Sequence, residues 1–412
     1  MPDTTTVQPP LQLARRRGPS LPLAVYVLAA GTFLMGTTEF VVAGLLPEVA
    51  ADFGTTEAHA GWAITAFAIG MIIGAPVMPM LTLRLPRRVT LVMALGLFAV
   101  AHVVLALTDS FALLLLSRFA AAIATGTFWS VAAVVAAGLV GPERRSSALG
   151  IVLGGGMLAT VVGVPLGSLG GQVVGWRGPF WALALLSALA IGAVASLVPS
   201  ERTGRTAPSI RAEFAALRSG RLWLVLATCA AVTAGVLSVY SFISPLLTGR
   251  TGLSASYVPA ALLLFGVGAL AGNVVGGRLG DTRPFRTPVV TVLISLLAMA
   301  MLSIVSTITV ATFVAFTVLG AVGLSANPVL FSLVTKYGGH GATLPSAMAT
   351  SMFNVGTAIG TAITGAALTS TLGQLAPPVV GTTFAAIALI LFSALVFAQR
   401  RSVTPTPAQG DV

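Results

Sequence analysis

Long apolar stretches recur down the whole of this 412-residue chain, each approaching 20 residues, and short polar breaks carrying arginine separate them. About 20 residues is the length a helix needs to cross ~30 Å of hydrocarbon at a 1.5 Å rise per residue. Lipid offers no partner to a free backbone N–H or C=O, so stretches of this kind have to be helical. Twelve spans are expected, at 22–46, 60–82, 90–107, 111–136, 147–171, 179–198, 222–247, 258–278, 288–307, 309–334, 346–369 and 379–398. Hydrophobic residues make up 56% of the chain and charged residues 8%, against roughly 25% charged in soluble domains. A water-soluble fold is thereby excluded.

The net charge of +11 does not form one basic face of the kind that binds nucleic acid, because the basic residues are dealt out among the breaks. Arg177 and Arg250 alone fall in the odd-side breaks, Arg118 lies inside a span, and every other Lys or Arg falls on one side of the membrane. That asymmetry orients both termini toward the cytoplasm of a bacterial cell. Residues 1–21 read as a cytoplasmic tail ending in Arg15, Arg16 and Arg17. The apolar run that follows is longer than a signal-peptide core of roughly 7–15 residues, so it reads as a retained first span. The single cysteine, Cys229, permits no intramolecular disulfide and reads as a buried thiol.

The longest break, 199–221, contains Pro208 and five arginines and divides the spans into bundles at 22–198 and 222–398, with a tail at 399–412. A short surface helix is expected near Ile210–Leu217. Basic stretches follow the second span at Arg84–Arg88 and the eighth at Gly277–Arg286, which marks the halves as repeats of each other. Glycines spaced four apart occur in the second span (Gly70, Gly74), the fifth (Gly163, Gly167, Gly171), the eighth (Gly268, Gly272, Gly276) and the eleventh (Gly356, Gly360). Such faces let backbones approach closely, and the expectation is that they form a sliding interface between the halves.

Of the eleven acidic residues, ten fall in tails or breaks and only Glu39 lies inside an expected span. A carboxylate there costs about 2.5–3.5 kcal/mol to insert, and burial penalises its charged form. Glu39 is the candidate proton carrier. Arg118 lies at a similar depth and is its candidate partner, either pairing with it or tuning it as the chain moves. Helix phase places Thr125 and Trp129 on the face of Arg118, and Thr32 and Met35 on the face of Glu39. Together with Tyr240, Asn327 and Asn354 from later spans, these are the candidate substrate contacts. His102 reads as a packing histidine with satisfied hydrogen bonds. No phosphate-binding loop, metal-ligand cluster or activated nucleophile is present in the sequence, so neither enzymatic chemistry nor a metal or cofactor is expected.

Several stretches carry a resemblance to a known family. Gly277-Arg-Leu-Gly-Asp-Thr-Arg-Pro-Phe-Arg286 is similar to the loop motif of the major facilitator superfamily, and Gly163-Val-Pro-Leu-Gly-Ser-Leu-Gly-Gly171 to its antiporter motif. Arg118 resembles its membrane-embedded arginine. Thr38-Glu39-Phe40, Ala66–Pro76, Leu107–Phe111 and Gly175-Trp-Arg177 resemble the drug/proton antiporters that include chloramphenicol exporters and arabinose-efflux-type permeases. The resemblance covers residues 20 to 400. It implies an all-α polytopic fold of twelve transmembrane helices in two six-helix bundles, and a charged latch formed by Asp281 with Arg278 and Arg286. The first-half copy, with Arg84, Arg87 and Arg88, has Leu83 where the aspartate is expected, and Pro79 and Pro86 in place of glycines. The function implied is proton-coupled export of a small amphipathic compound, chloramphenicol first, by a monomer that alternates access across the membrane. Sugar or nucleoside export is the alternative, and proton-coupled import of a nutrient is third.

Overall fold

The structure, a computed structural model, describes residues 21–82, 85–200, 218–338 and 343–401. The N-terminal tail with Arg15–Arg17, the residue Arg84, the linker from 201 to 217 with its expected surface helix, and the C-terminal tail beyond 401 lie outside the described residues. What is described is helical, with no strand. The first-half spans are Leu23–Val41, Trp62–Leu81, Arg87–Leu107, Phe111–Gly138, Arg145–Val174 and Gly178–Leu197. The second-half spans are Gly220–Ser241, Val258–Thr282, Arg286–Val305, Thr309–Gly338, Thr343–Leu368 and Ala376–Arg401.

Eleven of these helices are long and apolar enough to cross a membrane. The remaining one, the eleventh span, is 26 residues long but carries Thr, Ser, Gly and Asn along its length. It packs against the second and seventh spans, so its small polar residues meet protein. Apolar side chains elsewhere stand outward without protein cover: Val173 is 76% exposed, Ile304 76% and Ile390 68%. On helices of this length such a surface is solvated by lipid.

Ion pairs and hydrogen bonds between breaks fix the alternation of the spans. Arg177, after the fifth span, reaches Asp52 after the first at 2.6 Å and Asp109 after the third at 3.0 Å. Its guanidinium also covers the Trp176 ring at 4.6 Å. In the second half Arg250 Nε donates to Ser306 Oγ at 2.6 Å, and Thr251 Oγ1 donates to the Ser306 carbonyl at 2.7 Å. These contacts lie on one end of the molecule, here called the far face. Tyr337 and Gln399 meet at 2.7 Å on the opposite end, the basic face, where Arg278, Arg283, Arg286 and Lys336 also lie.

Several boundaries differ from the sequence expectation, among them the seventh span, which closes at Ser241. The first span closes with a 3-10 turn at Val42–Gly44, and Pro47 then starts a short helix, Leu46–Asp52. The tenth span is broken at 324–326, because Pro328 withholds the N–H that would continue the helix from Gly323. The eighth span runs on to Thr282, so Arg278 and Asp281 belong to a helix end rather than to a loop. The last span continues through Arg401.

The glycine faces correct a second expectation. A β-carbon on Gly74 would lie 2.9 Å from Ile123 of the fourth span, and one on Gly268 would lie 2.9 Å from Ala321 of the tenth. Gly70 likewise faces the fourth span. Gly163 and Gly167 face Thr37 and Val41 of the first span, and Gly171 faces Leu45 just beyond its end. Gly272 and Gly276 face the tenth span, and Gly356 and Gly360 face the seventh. All ten glycines therefore pack within a half and not between halves. Spacing reports that some backbone comes close, and it is silent on whose.

The halves do meet through the second, fifth, eighth and eleventh spans, but on other faces. Thr65 and Thr361 share a hydrogen bond at 2.9 Å, Ser351 Oγ donates to the Ile72 carbonyl at 3.0 Å, and Gln172 Nε2 donates to the Ala255 carbonyl at 2.7 Å. Gly266 of the eighth span lies against the backbone of Thr160 and Val161. That backbone belongs to a π-helical segment, Ala159–Gly163, which interrupts the fifth span. Leu45, Leu46, Phe242 and Ile243, where the first and seventh spans end, are fully buried. The far face is thus the closed side of this conformation.

Candidate functional site: a carboxyl pocket between the halves

Glu39 sits near the far end of the first span, three residues before the 3-10 turn, and lines a pocket between the two halves. Phe40, Ile64 and Phe67 form the first-half wall, and Tyr240, Ser241 and Asn354 are on the second-half wall. About 310 Å³ of empty space is present when its open mouth is included. The narrow interior holds about one water molecule. A drug-sized ligand needs an enclosed site of roughly 300–1,000 Å³. With the far face closed, Glu39 has room for water or a proton and none for such a ligand.

The second-half wall is aromatic and hydroxylic. Tyr240 meets Phe40 edge-on across the interface at 5.7 Å and packs against Phe265 at 4.8 Å. Asn354 spends its amide N–H on the Thr350 carbonyl at 3.0 Å, within its own helix. Ser241 is 1% exposed and its hydroxyl has no hydrogen-bond partner among the described residues. A buried hydroxyl without a partner is costly, and here it lines the space that Glu39 faces.

Arg118 is fully buried, yet no ion pair joins it to Glu39. Its Nη1 donates to both the carbonyl and the hydroxyl of Thr38 at 2.9 Å, and its Nε donates to the Ala63 carbonyl at 3.2 Å. The guanidinium stacks on Phe67 at 4.4 Å. The Thr38 carbonyl belongs to the peptide that joins Thr38 to Glu39. Arg118 therefore grips the backbone from which the carboxyl projects, and Phe67 both supports the cation and lines the pocket. The guanidinium Nη2 has no partner among the described residues.

The other candidates separate into two groups. Tyr240 and Asn354 line the pocket with Glu39. Thr32, Met35, Thr125, Trp129 and Asn327 do not. Thr32 Oγ1 donates to the Val152 carbonyl of the fifth span at 2.6 Å, and Thr125 Oγ1 donates one turn back to Ala121 at 2.8 Å. Met35 is wholly buried in a core that draws on both halves. Trp129 packs near Gly156, and its indole N–H is without a partner among the described residues, as is the Asn327 side-chain oxygen. Helix phase places residues on a common face but does not say which neighbouring helix covers it. Ser241, Phe67 and Thr38 are site residues that the sequence did not mark as contacts, although Thr38 and Phe67 lie in stretches that carry the family resemblance.

No ion pair joins Asp281 to Arg278 or Arg286, all three of which are exposed on the basic face. The expected latch is not formed in this conformation. Arg87 and Arg88 begin the third span instead of lying in a loop.

A model of the Major Facilitator Superfamily matches residues 28–360. The chain belongs to the major facilitator superfamily. It is similar to a chloramphenicol resistance protein of Streptomyces lividans, 37% identical over 394 residues, which is 95% of this chain and 99% of that one. It is also similar to the inner membrane transport protein YdhP of Escherichia coli K12, 31% identical over 88% of this chain and 93% of that one. Among solved structures, a bacterial homolog of the human lysosomal transporter Spinster matches with a TM-score of 0.71 over 94% of this chain and 98% of that one, at 19% identity. This superfamily member is thus a multi-pass membrane transporter, and its two bundles share that fold.

Proposed function

We propose that the chain resides in a bacterial cytoplasmic membrane with both termini in the cytoplasm, and exports a small amphipathic compound, chloramphenicol or a relative of it, in exchange for protons. The observation that carries this reading is Glu39, a carboxyl deep in a span that faces a water-sized pocket between the halves without an ion pair to Arg118. The identity to the Streptomyces lividans resistance protein supports the substrate class. A proton reaching Glu39 discharges the one acid that lines this pocket. Its departure restores a charge that a closed, narrow site solvates poorly. Exchange of that proton therefore favours separation of the halves in one state and their closure in the other. On the basic face, the Asp281 latch with Arg278 and Arg286 forms when that side closes.

The test is tolerance in an efflux-deficient host, together with uptake in energised everted vesicles. The wild type raises tolerance to chloramphenicol and accumulates it in everted vesicles. One charge moved through 100 mV is worth about 2.3 kcal/mol, enough for roughly a 50-fold gradient. Glu39→Gln abolishes accumulation while counterflow exchange persists. Full proton-driven accumulation by Glu39→Gln would remove the carrier assignment. Efflux of sugars or nucleosides with no change in chloramphenicol tolerance would favour the alternative substrate class.

A further inference from the structure

One fully buried titratable side chain has no part in the exchange just described. His102, in the third span, is 0% exposed and is hydrogen-bonded at both ring nitrogens. Its Nδ1 lies 2.7 Å from the Phe98 carbonyl, which can only accept, so Nδ1 carries a proton. Its Nε2 lies 2.7 Å from the hydroxyl of Thr38. That hydroxyl already accepts from Nη1 of Arg118 at 2.9 Å, a group that can only donate. With the single proton of a neutral ring on Nδ1, Nε2 offers its lone pair and the hydroxyl proton is directed to it. A second cation one hydroxyl away from Arg118, in a site where all three side chains are buried and neither cation has an ion pair among the described residues, would be repelled by the guanidinium. The ring is the neutral Nδ1–H tautomer, packed at a tilt of 33° against Phe98 with 4.0 Å between centroids.

We propose that His102 is a positioning residue for Arg118, acting through Thr38, and not a proton carrier. By taking the Thr38 hydroxyl proton, the imidazole fixes that side chain so that its lone pair and the adjacent carbonyl both point at Nη1. Three helices are tied in one directional chain, from the Phe98 carbonyl through His102 and Thr38 to the guanidinium. The chain ends on the peptide that presents Glu39. It also leaves Nη2 as the uncommitted guanidinium nitrogen, the one able to meet a carboxylate or a solute when the halves move.

The test is nitrogen NMR of the full chain in lipid nanodiscs near neutral pH, with histidine and arginine labelled. The chain has three histidines, so His102 is assigned by the signal missing from His102→Gln. The wild type should show His102 as the Nδ1–H tautomer, and Arg118 with resolved, slowly exchanging Nη signals. His102→Leu should lose the resolved Arg118 signals while those of Arg177, in the far-face network, stay in place as a control for folding. His102→Gln should restore them, because its amide oxygen can accept from Thr38. If His102→Leu does not fold, Thr38→Val decides the matter: the Nε2 resonance should shift and the Arg118 signals collapse. An Nε2–H tautomer overturns the proposal. So does an Arg118 signal unchanged in Thr38→Val, or a His102→Gln protein that behaves like His102→Leu. The readout requires no transported compound, so failure of the export reading and failure of this one are separate results.

Discussion

Substituting Gly266 by alanine should change which side of the protein is open, where the same substitution at Gly272 should only weaken the fold. A β-carbon on Gly266 would press into the Thr160 carbonyl and come to 2.9 Å from the Val161 Cα. Both neighbours are backbone, so neither can rotate away, and the helices must separate locally. The fifth and eighth spans belong to different halves, so the strain falls on the conformation in which the far face is closed. Overpacking of this kind costs typically about 1–3 kcal/mol, which corresponds to a shift of roughly 5–150-fold between two conformations. Gly272 instead meets Ala321 of the tenth span, inside its own half, and that contact moves as one body. The assay is maleimide labelling of Ala43→Cys, a pocket position that is 2% exposed, in nanodiscs. The native Cys229 is fully buried, so the background is silent. Gly266→Ala should raise the labelling rate within that range at nearly unchanged Tm. Gly272→Ala should lower Tm and leave the rate alone. An unchanged labelling rate in Gly266→Ala, with a Tm loss matching that of Gly272→Ala, would refute the claim that the crossing of the fifth and eighth spans is a contact of the closed far face alone.

Arg177→Ala should lower Tm by a few degrees and lose most of that effect in high salt, because its partners are solvent-accessible and exposed pairs are worth about 1 kcal/mol or less. Arg177→Lys should restore little of it, since one ammonium cannot reach Asp52, Asp109 and the Thr108 carbonyl together. Glu48 lies outside the spans, in the short helix after the first, and burial pushes its carboxyl above the usual carboxylate range. A folded state that holds this proton more tightly than the unfolded chain is favoured at low pH, and the advantage is lost as pH rises through the shifted range. Melting curves between pH 4 and 8 should therefore show Glu48→Gln gaining stability relative to the wild type as pH rises. A constant difference across that range would mean that Glu48 is not buried in solution.

The number of spans, the division into halves and the face that carries the basic residues were legible in the chain because each follows from local composition. Apolar length sets what can cross lipid, and arginine placement sets which end is which. Glu39 was legible for the same reason: one carboxyl among apolar residues is conspicuous whatever surrounds it. Its environment was not. The sequence places Glu39 and Arg118 at similar depth, but depth leaves azimuth undecided, and the structure gives the arginine to Thr38 and Ala63 in place of the carboxylate. The glycine faces show the same limit. Gly70 and Gly74 announce a close approach, yet only the packed bundle decides that the fourth span makes it. Thr32 and Thr125 share faces with the charged residues and still spend their hydroxyls inside their own half. A helix has one set of periodicities and several neighbours, so periodicity determines what a face can do and tertiary packing determines what it meets. The pocket itself exists only where residues more than 300 positions apart, such as Glu39 and Asn354, are brought to one interface.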